Sequence, residues 1–343
     1  MDLDRYDYFL PKNNIALKPA TPRDSSKLFV YDTAADRIVF DKFYNLDKYL
    51  PKDSFLVLNN TKVIPARVEM KKQTGGKVIV LFLVSESVDT QTVKAMVDRK
   101  VNVGEKLYFD PSTSLRIKSQ EEHIFELGYD FSKEKLFQLL EKYGSMPIPL
   151  YLKKTPLKRD ELMEKYQTIF AKERGSSAAP TASLHFSRRV FEKLGKKDIK
   201  RYFITLHVGL GTFAPLTQRN ISTKRLHEEY FEVDEQTLHY INIMKSEGKK
   251  LVAVGTTVTR TLESLAKTGN LVGNTDLFIY PPYEFKMVDC LITNFHLPKS
   301  SLMMLVEAFL QYRGARRHLI DLYKTAIDND FRFYSFGDAM MIL

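Results

Sequence analysis

A chain of 343 residues with 44% hydrophobic and 27% charged side chains can bury a substantial core, and its most apolar segment, LMMLVEAFL, is short and carries Glu307, which excludes a membrane-spanning stretch there. A single cysteine, Cys290, excludes an intramolecular disulfide or a cysteine-based zinc cluster, and the seven histidines show neither HxxxH nor HExxH spacing, so no metal site is expected. The formal charge is +10, and the segment from Lys153 to Arg201 concentrates fourteen Lys/Arg against six Asp/Glu, a field suited to a polyanion or, alternatively, to a solvated helical face.

In chain order, the opening MDLDRYDYFL lacks the basic and apolar regions of an export signal, so a cytosolic protein is expected. KLFVYDTAADRIVF reads as two short strands around a polar turn. SFLVLNNTKVIPARV reads as a buried strand, an Asn-rich turn and a second extended segment. From Val68 to about Asp130, strand-like runs separated by GG, ESVDT, NVG and PSTS have the rhythm of a small antiparallel barrel or sandwich. SKEKLFQLLEKYG predicts a helix with Ser132 as N-cap and Gly144 as its stop.

Beyond it, helical and strand patterns take turns. Helices are expected at DELMEKYQTIF, SRRVFEKLG, DEQTLHYINIMKSEG, VTRTLESLAKTG, SSLMMLVEAFL and HLIDLYKTAID, with strands at RYFITLHV, KLVAVG and DCLITNF. The alternation predicts an α/β fold. Residues 1–66 and 147–343 would form a large mixed α/β domain, and 67–146 an inserted small antiparallel β-barrel domain. Cys290, inside VDCLITNF, reads as a small buried hydrophobe.

Three strings place a histidine beside residues that bend or expose the backbone: SSAAPTASLHF with His185, LHVGLGTFAP with His207 and LITNFHLPKSS with His296. Active sites are assembled from such loop positions. GLGTFA, with Gly209, Gly211 and Thr212, matches G-x-G-x-x-A, but Pro215 follows at once and no apolar helical stripe continues, which argues against a dinucleotide fold and for close backbone approach. VAVGTTVTRTLES is a better strand-loop-helix candidate, with Thr256 and Thr257 at the turn and Arg260 on the helix; a simple cap and an exposed ion pair are the alternative.

Together with NNTKVIPAR, MPIPLYL, YQTIFAKERG, VAVGTTVTRTLES, TDLFIYPPYEFK and YSFGDAM, these strings resemble, in order and over nearly the whole chain, the S-adenosylmethionine:tRNA ribosyltransferase-isomerase family of the queuosine pathway. The resemblance implies an α/β body carrying a small β-barrel. It also implies that the ribosyl part of S-adenosylmethionine is moved onto the 7-aminomethyl-7-deazaguanine (preQ1) base at the tRNA anticodon wobble position and rearranged to epoxyqueuosine, with adenine and methionine leaving. S-Adenosylmethionine is consumed as a substrate, no cofactor is called for, and a monomer is expected. The sulfonium acidifies the C5′ protons, so a general base is needed near that carbon.

The matched blocks point to His185, His207 and His296 as leading catalytic candidates, with Glu229 and Asp338 behind them. Substrate binding would fall to Arg23, Asp24, Asn60, Thr61, Thr181, Gly209, Gly211, Thr212, Thr256, Thr257, Arg260, Asp289 and Asn294. Structural roles stand beside these: a satisfied carbonyl for His207, a turn for Asp338, a surface charge for Glu229, and a hinge into the barrel for Asn60 and Thr61. His123, His239 and His318 fall outside the blocks and read as surface or packing residues. The chain departs from the family pattern at Leu17, Lys18, Ser183, Pro282 and Lys224, the last replacing the first histidine of an H-x-M-H-x-E element and leaving His227 and Glu229. A non-catalytic RNA-binding protein and an ordinary S-adenosylmethionine-dependent methyltransferase are the competing readings.

Overall fold

The computed structural model describes residues 2–86, 91–209 and 216–343. Its larger sheet has nine strands, in the spatial order Val272–Leu277, Arg225–Glu232, Arg201–Leu206, Ser54–Asn59, Lys250–Val254, Cys290–Asn294, Ala339–Ile342, Lys27–Asp32 and Arg37–Lys42. The four strands from Arg201–Leu206 to Cys290–Asn294 run parallel, with Leu56 in register between Tyr202's neighbour Arg201 on one side and Val252 on the other. Parallel strands are covered on both faces, which is why SFLVLN and CLITN read as unbroken apolar runs and are buried at every position.

Alternation along each strand sorts side chains into two layers. Phe55 and Val57 face a core shared with the helices Thr256–Thr268, Ser301–Tyr312 and Leu319–Asp328, through Leu262, Phe309 and Leu322. Leu56 and Leu58 face a second core containing Phe43, Phe186, Val190 and Leu194, the last two from the helix Arg188–Lys196. Cys290 belongs to that second core, where burial pushes its thiol up to about 11.

The segment from Arg67 to Ser145 forms a separate seven-stranded antiparallel sheet. Six of its strands close into a barrel, because Lys106–Asp110 pairs back onto Arg67–Lys72. The helix Lys133–Tyr143 covers this barrel with Leu136, Leu139 and Leu140, and the Ser132 hydroxyl caps it by accepting from the Lys135 amide at 3.2 Å. The returning chain passes so close to the outgoing one that a Cβ on Gly144 would lie 1.7 Å from the Pro65 carbonyl oxygen. The expected fold class, a large mixed α/β domain with an inserted antiparallel barrel, is the one observed.

Three strands of the larger sheet went unread in the sequence. Arg225–Glu232 and Val272–Leu277 form an antiparallel edge whose side chains are largely solvated, so charge masks their alternation. Ala339–Ile342 is buried at all four positions and lies where FGDAM suggests a turn. Among the described residues no helix is long and apolar enough to cross a membrane.

Candidate active site

The parallel strands all end at the same edge of the sheet, where loops of open α/β folds bind ligands. There, Val208 follows Arg201–Leu206, Gly255 to Thr257 follow Lys250–Val254, and Asn294 to Leu297 close Cys290–Asn294. With Thr181 and Ala182, Tyr151, Tyr334 and Ser335 they surround a cavity of about 670 Å³, open solvent included. No described residue of this inner wall is Asp, Glu, Lys or Arg.

Gly255 has φ 99°, a conformation suited to glycine, and leads into the helix Thr256–Thr268, whose first two residues line the cavity. His296 is held by both main chain and ring. Its N–H donates to the Tyr323 hydroxyl at 2.9 Å, its carbonyl accepts from the Tyr8 hydroxyl, and its Nε2 lies 2.8 Å from Thr293 Oγ1. Burial pulls this imidazole down to about 3, so it is neutral at pH 7.

His185 stands behind the wall rather than on it. Its Nδ1 lies 2.9 Å from Ser26 Oγ, its ring packs on Phe43 at 5.1 Å, and its Nε2 faces Asn294 Nδ2 at 3.5 Å. Burial lowers it to about 4. The Asn294 amide nitrogen also donates to the Tyr334 carbonyl at 3.1 Å, while its Oδ1 is buried without a hydrogen-bond partner among the described residues.

A second, wider cavity of about 1600 Å³, open solvent included, separates the barrel from the edge strands. Lys94, Lys133 and Phe137 line it from the barrel side, and His227, Glu228, Tyr230 and Glu232 from the sheet. His207 lies between, its Nδ1 2.7 Å from Thr61 Oγ1 and its ring parallel to Tyr230 at 5.7 Å. A Cβ on Gly175 would come within 2.6 Å of His207 Nε2, so only glycine permits this packing. Burial lowers the His207 imidazole to about 4.

His207 lines the outer cavity and its neighbour Val208 the inner one, as successive side chains of an extended segment point to opposite sides. A buried ion pair secures this partition. Glu229 pairs with Arg260 and accepts the Gly209 amide at 2.9 Å, while Arg260 Nε and Nη2 donate to the carbonyls of Leu277 and Thr275 at 3.2 and 3.3 Å.

Of the expected site residues, Thr181, Thr256, Thr257, Asn294 and His296 meet at the inner cavity, and His207 lies at the outer one. Gly209, Glu229 and Arg260 build the partition. Asn60 accepts from Thr205 Oγ1 at 2.7 Å and, with Thr61, ties the strand end to its neighbours at the entrance to the barrel. Gly211 and Thr212 lie outside the described residues.

Four residues are placed away from both cavities. Asp24 is enclosed by Ser187 and Arg189, and Arg23 donates to the Gln167 carbonyl at 2.9 Å. Asp338 accepts from the Lys27 and Arg332 amides and from the Arg332 guanidinium. Asp289 accepts from Lys245 and the Leu251 amide at the opposite strand end, about 16 Å of extended chain from the cavity. Conversely, Tyr151, Thr293, Tyr334, Ser335 and His227 line the cavities without having been singled out as site residues; the tyrosines sit in the MPIPLYL and YSFGDAM blocks, which is the signal that could have found them. Among the described residues no three His, Cys, Asp or Glu side chains are grouped to hold a metal ion.

A family described as "Queuosine biosynthesis protein" matches residues 3–342. A protein of Fusobacterium nucleatum named S-adenosylmethionine:tRNA ribosyltransferase-isomerase is 41% identical over 349 residues, covering 99% of this chain and 96% of its own. One of the same name from Thermosipho melanesiensis is 43% identical over 348 residues and covers 100% of both. The crystal structure of S-adenosylmethionine tRNA ribosyltransferase from Thermotoga maritima is 33% identical and superposes with a TM-score of 0.56, covering 98% of this chain and 99% of that one. With its fold, its cavities and these full-length matches in agreement, the chain belongs to the S-adenosylmethionine:tRNA ribosyltransferase-isomerase family of queuosine biosynthesis enzymes.

Proposed function

We propose that this enzyme transfers and isomerises the ribosyl moiety of S-adenosylmethionine onto the preQ1 base at the wobble position of tRNA, giving epoxyqueuosine and releasing adenine and methionine. The observation that carries this reading is the pairing of an uncharged cavity at the parallel strand ends with an open, charged cavity beside the barrel, one residue of extended chain apart. The first suits a nucleoside, the second a polyanion carrying a base. S-Adenosylmethionine is consumed, no cofactor takes part, and the protein acts as a cytosolic monomer.

In this reading the inner cavity holds the adenosyl group between Thr181, Thr256, Thr257 and Asn294, with the Tyr151 and Tyr334 rings near the sulfonium. His296 takes a proton from C5′. Its Nε2 is engaged by Thr293, and Nδ1 has no partner among the described residues; burial keeps the ring neutral at pH 7, so one ring nitrogen carries no proton. Lys94 and Lys133 attract the RNA backbone, and His207 with Tyr230 offers a flat surface to the acceptor base. Incubating the purified protein with S-adenosylmethionine and preQ1-bearing tRNA tests it. Release of both adenine and methionine is expected; adenosylhomocysteine would indicate a methyltransferase, and tight tRNA binding without turnover a binding protein.

A further inference from the structure

Asn294 ends its strand 2% exposed, on the inner cavity wall, with an amide oxygen that no group among the described residues satisfies. Buried acceptors are rarely left so, and an unpaired one at a cavity wall marks the place of a ligand donor. The orientation of the amide is fixed by its surroundings. The Tyr334 carbonyl can only accept, so the group 3.1 Å from it must be the nitrogen. The second hydrogen of that nitrogen lies toward His185 Nε2 at 3.5 Å. For Nε2 to accept, the imidazole proton must sit on Nδ1, where Ser26 Oγ receives it at 2.9 Å. Both amide hydrogens are then used inside the protein, and the buried oxygen is left without a partner among the described residues, on a residue of the cavity wall.

Resting on the reading above, we infer that Asn294 Oδ1 accepts the exocyclic amine of adenine on the wall of the inner cavity, and that His185 is a positioning residue that aims this amide. The described wall has no charged side chain, so the ammonium of the methionyl part finds no counter-ion there. Ala179, Ala182, Val208 and Leu302 instead give apolar sides to a flat ring. An amine donates where Oδ1 accepts. A purine with a carbonyl at that position sets acceptor against acceptor, so the cavity selects adenosine over inosine.

Calorimetric titration of the full chain with S-adenosylhomocysteine and S-inosylhomocysteine tests this. The adenosine ligand is expected to bind about tenfold or more tighter, since a site built to pair with a donor rejects the analogue lacking it. His185→Ala should abolish most of that preference while tRNA retention on a filter is unchanged, and His185→Gln, whose amide oxygen can accept from Asn294, should restore it. Equal binding of both ligands to the unaltered protein overturns the acceptor assignment. A preference that survives in His185→Ala, or that is lost together with tRNA binding and not restored by His185→Gln, overturns the positioning role. Selective adenosine binding without adenine release in the presence of tRNA upholds this subsite and refutes the reaction instead.

Discussion

The two cavities share a wall and differ in how they are made. The inner one is cut into the end of a sheet whose strands are buried on both faces, and its wall is set by main-chain turns and neutral side chains. The outer one lies between two separately cored units, the barrel and the sheet edge, and long charged side chains line it. An interior edge favours fixed geometry and low dielectric, which suits discrimination among small ligands; a junction between cores favours hydration and reach, which suits a large anion.

The partition is where this contrast can be broken most severely. Glu229→Ala leaves Arg260 as an uncompensated buried charge and frees the Gly209 amide, so unfolding should become easier by about 3–5 kcal/mol, read by urea denaturation, and both substrates should bind more weakly. A single-cavity effect follows from Asn294→Leu. Turnover at limiting S-adenosylmethionine should fall about a hundredfold with tRNA affinity within about twofold of the original, as expected where a donor loses its buried acceptor.

The mirror image is Lys94→Glu with Lys133→Glu. tRNA affinity should drop about tenfold at 0.1 M salt with a shallower salt dependence, while S-adenosylhomocysteine affinity is unchanged. Acid sensitivity should appear on the sides of both cavities, because the imidazoles beside them are buried. His185 and His207 are lowered from 6.5 to about 4 and His296 to about 3, so below pH 6.5 the unfolded chain binds protons that the folded one refuses. Stability present above pH 6.5 should decline by up to about 1.4 kcal/mol per pH unit for each histidine as pH falls toward 4, checked by denaturation midpoints across that range.

Much of the architecture was legible because local rules and the fold agree. Ser132 caps its helix, the Gly-rich spacers separate barrel strands, and SFLVLN reads as a central strand. The strand Ala339–Ile342 was not legible, since an apolar run of four residues directly after a Gly-Asp turn signal is too short to mark a strand. At the site, residue type identified the right loops but not which way each side chain turns. His185 and His296 carry the same local signature, yet only one lines the cavity, because the three-ten turn Thr181–His185 presents its first residues to the cavity and buries its last. Asp24, Glu229 and Asp338 looked available for chemistry because their partners Arg189, Arg260 and Arg332 are fixed by the fold and not by the local pattern.

The register between Ser54–Asn59 and Lys250–Val254 joins segments nearly two hundred positions apart, with the whole barrel threaded between them. The inner cavity therefore comes into being only when early and late parts of the polypeptide have docked, a slow closure that few local contacts can hasten. Affinity for an adenosyl ligand is in consequence a gauge of finished folding, and occupancy at a hundred times the dissociation constant should reinforce the assembled chain by about 2.7 kcal/mol.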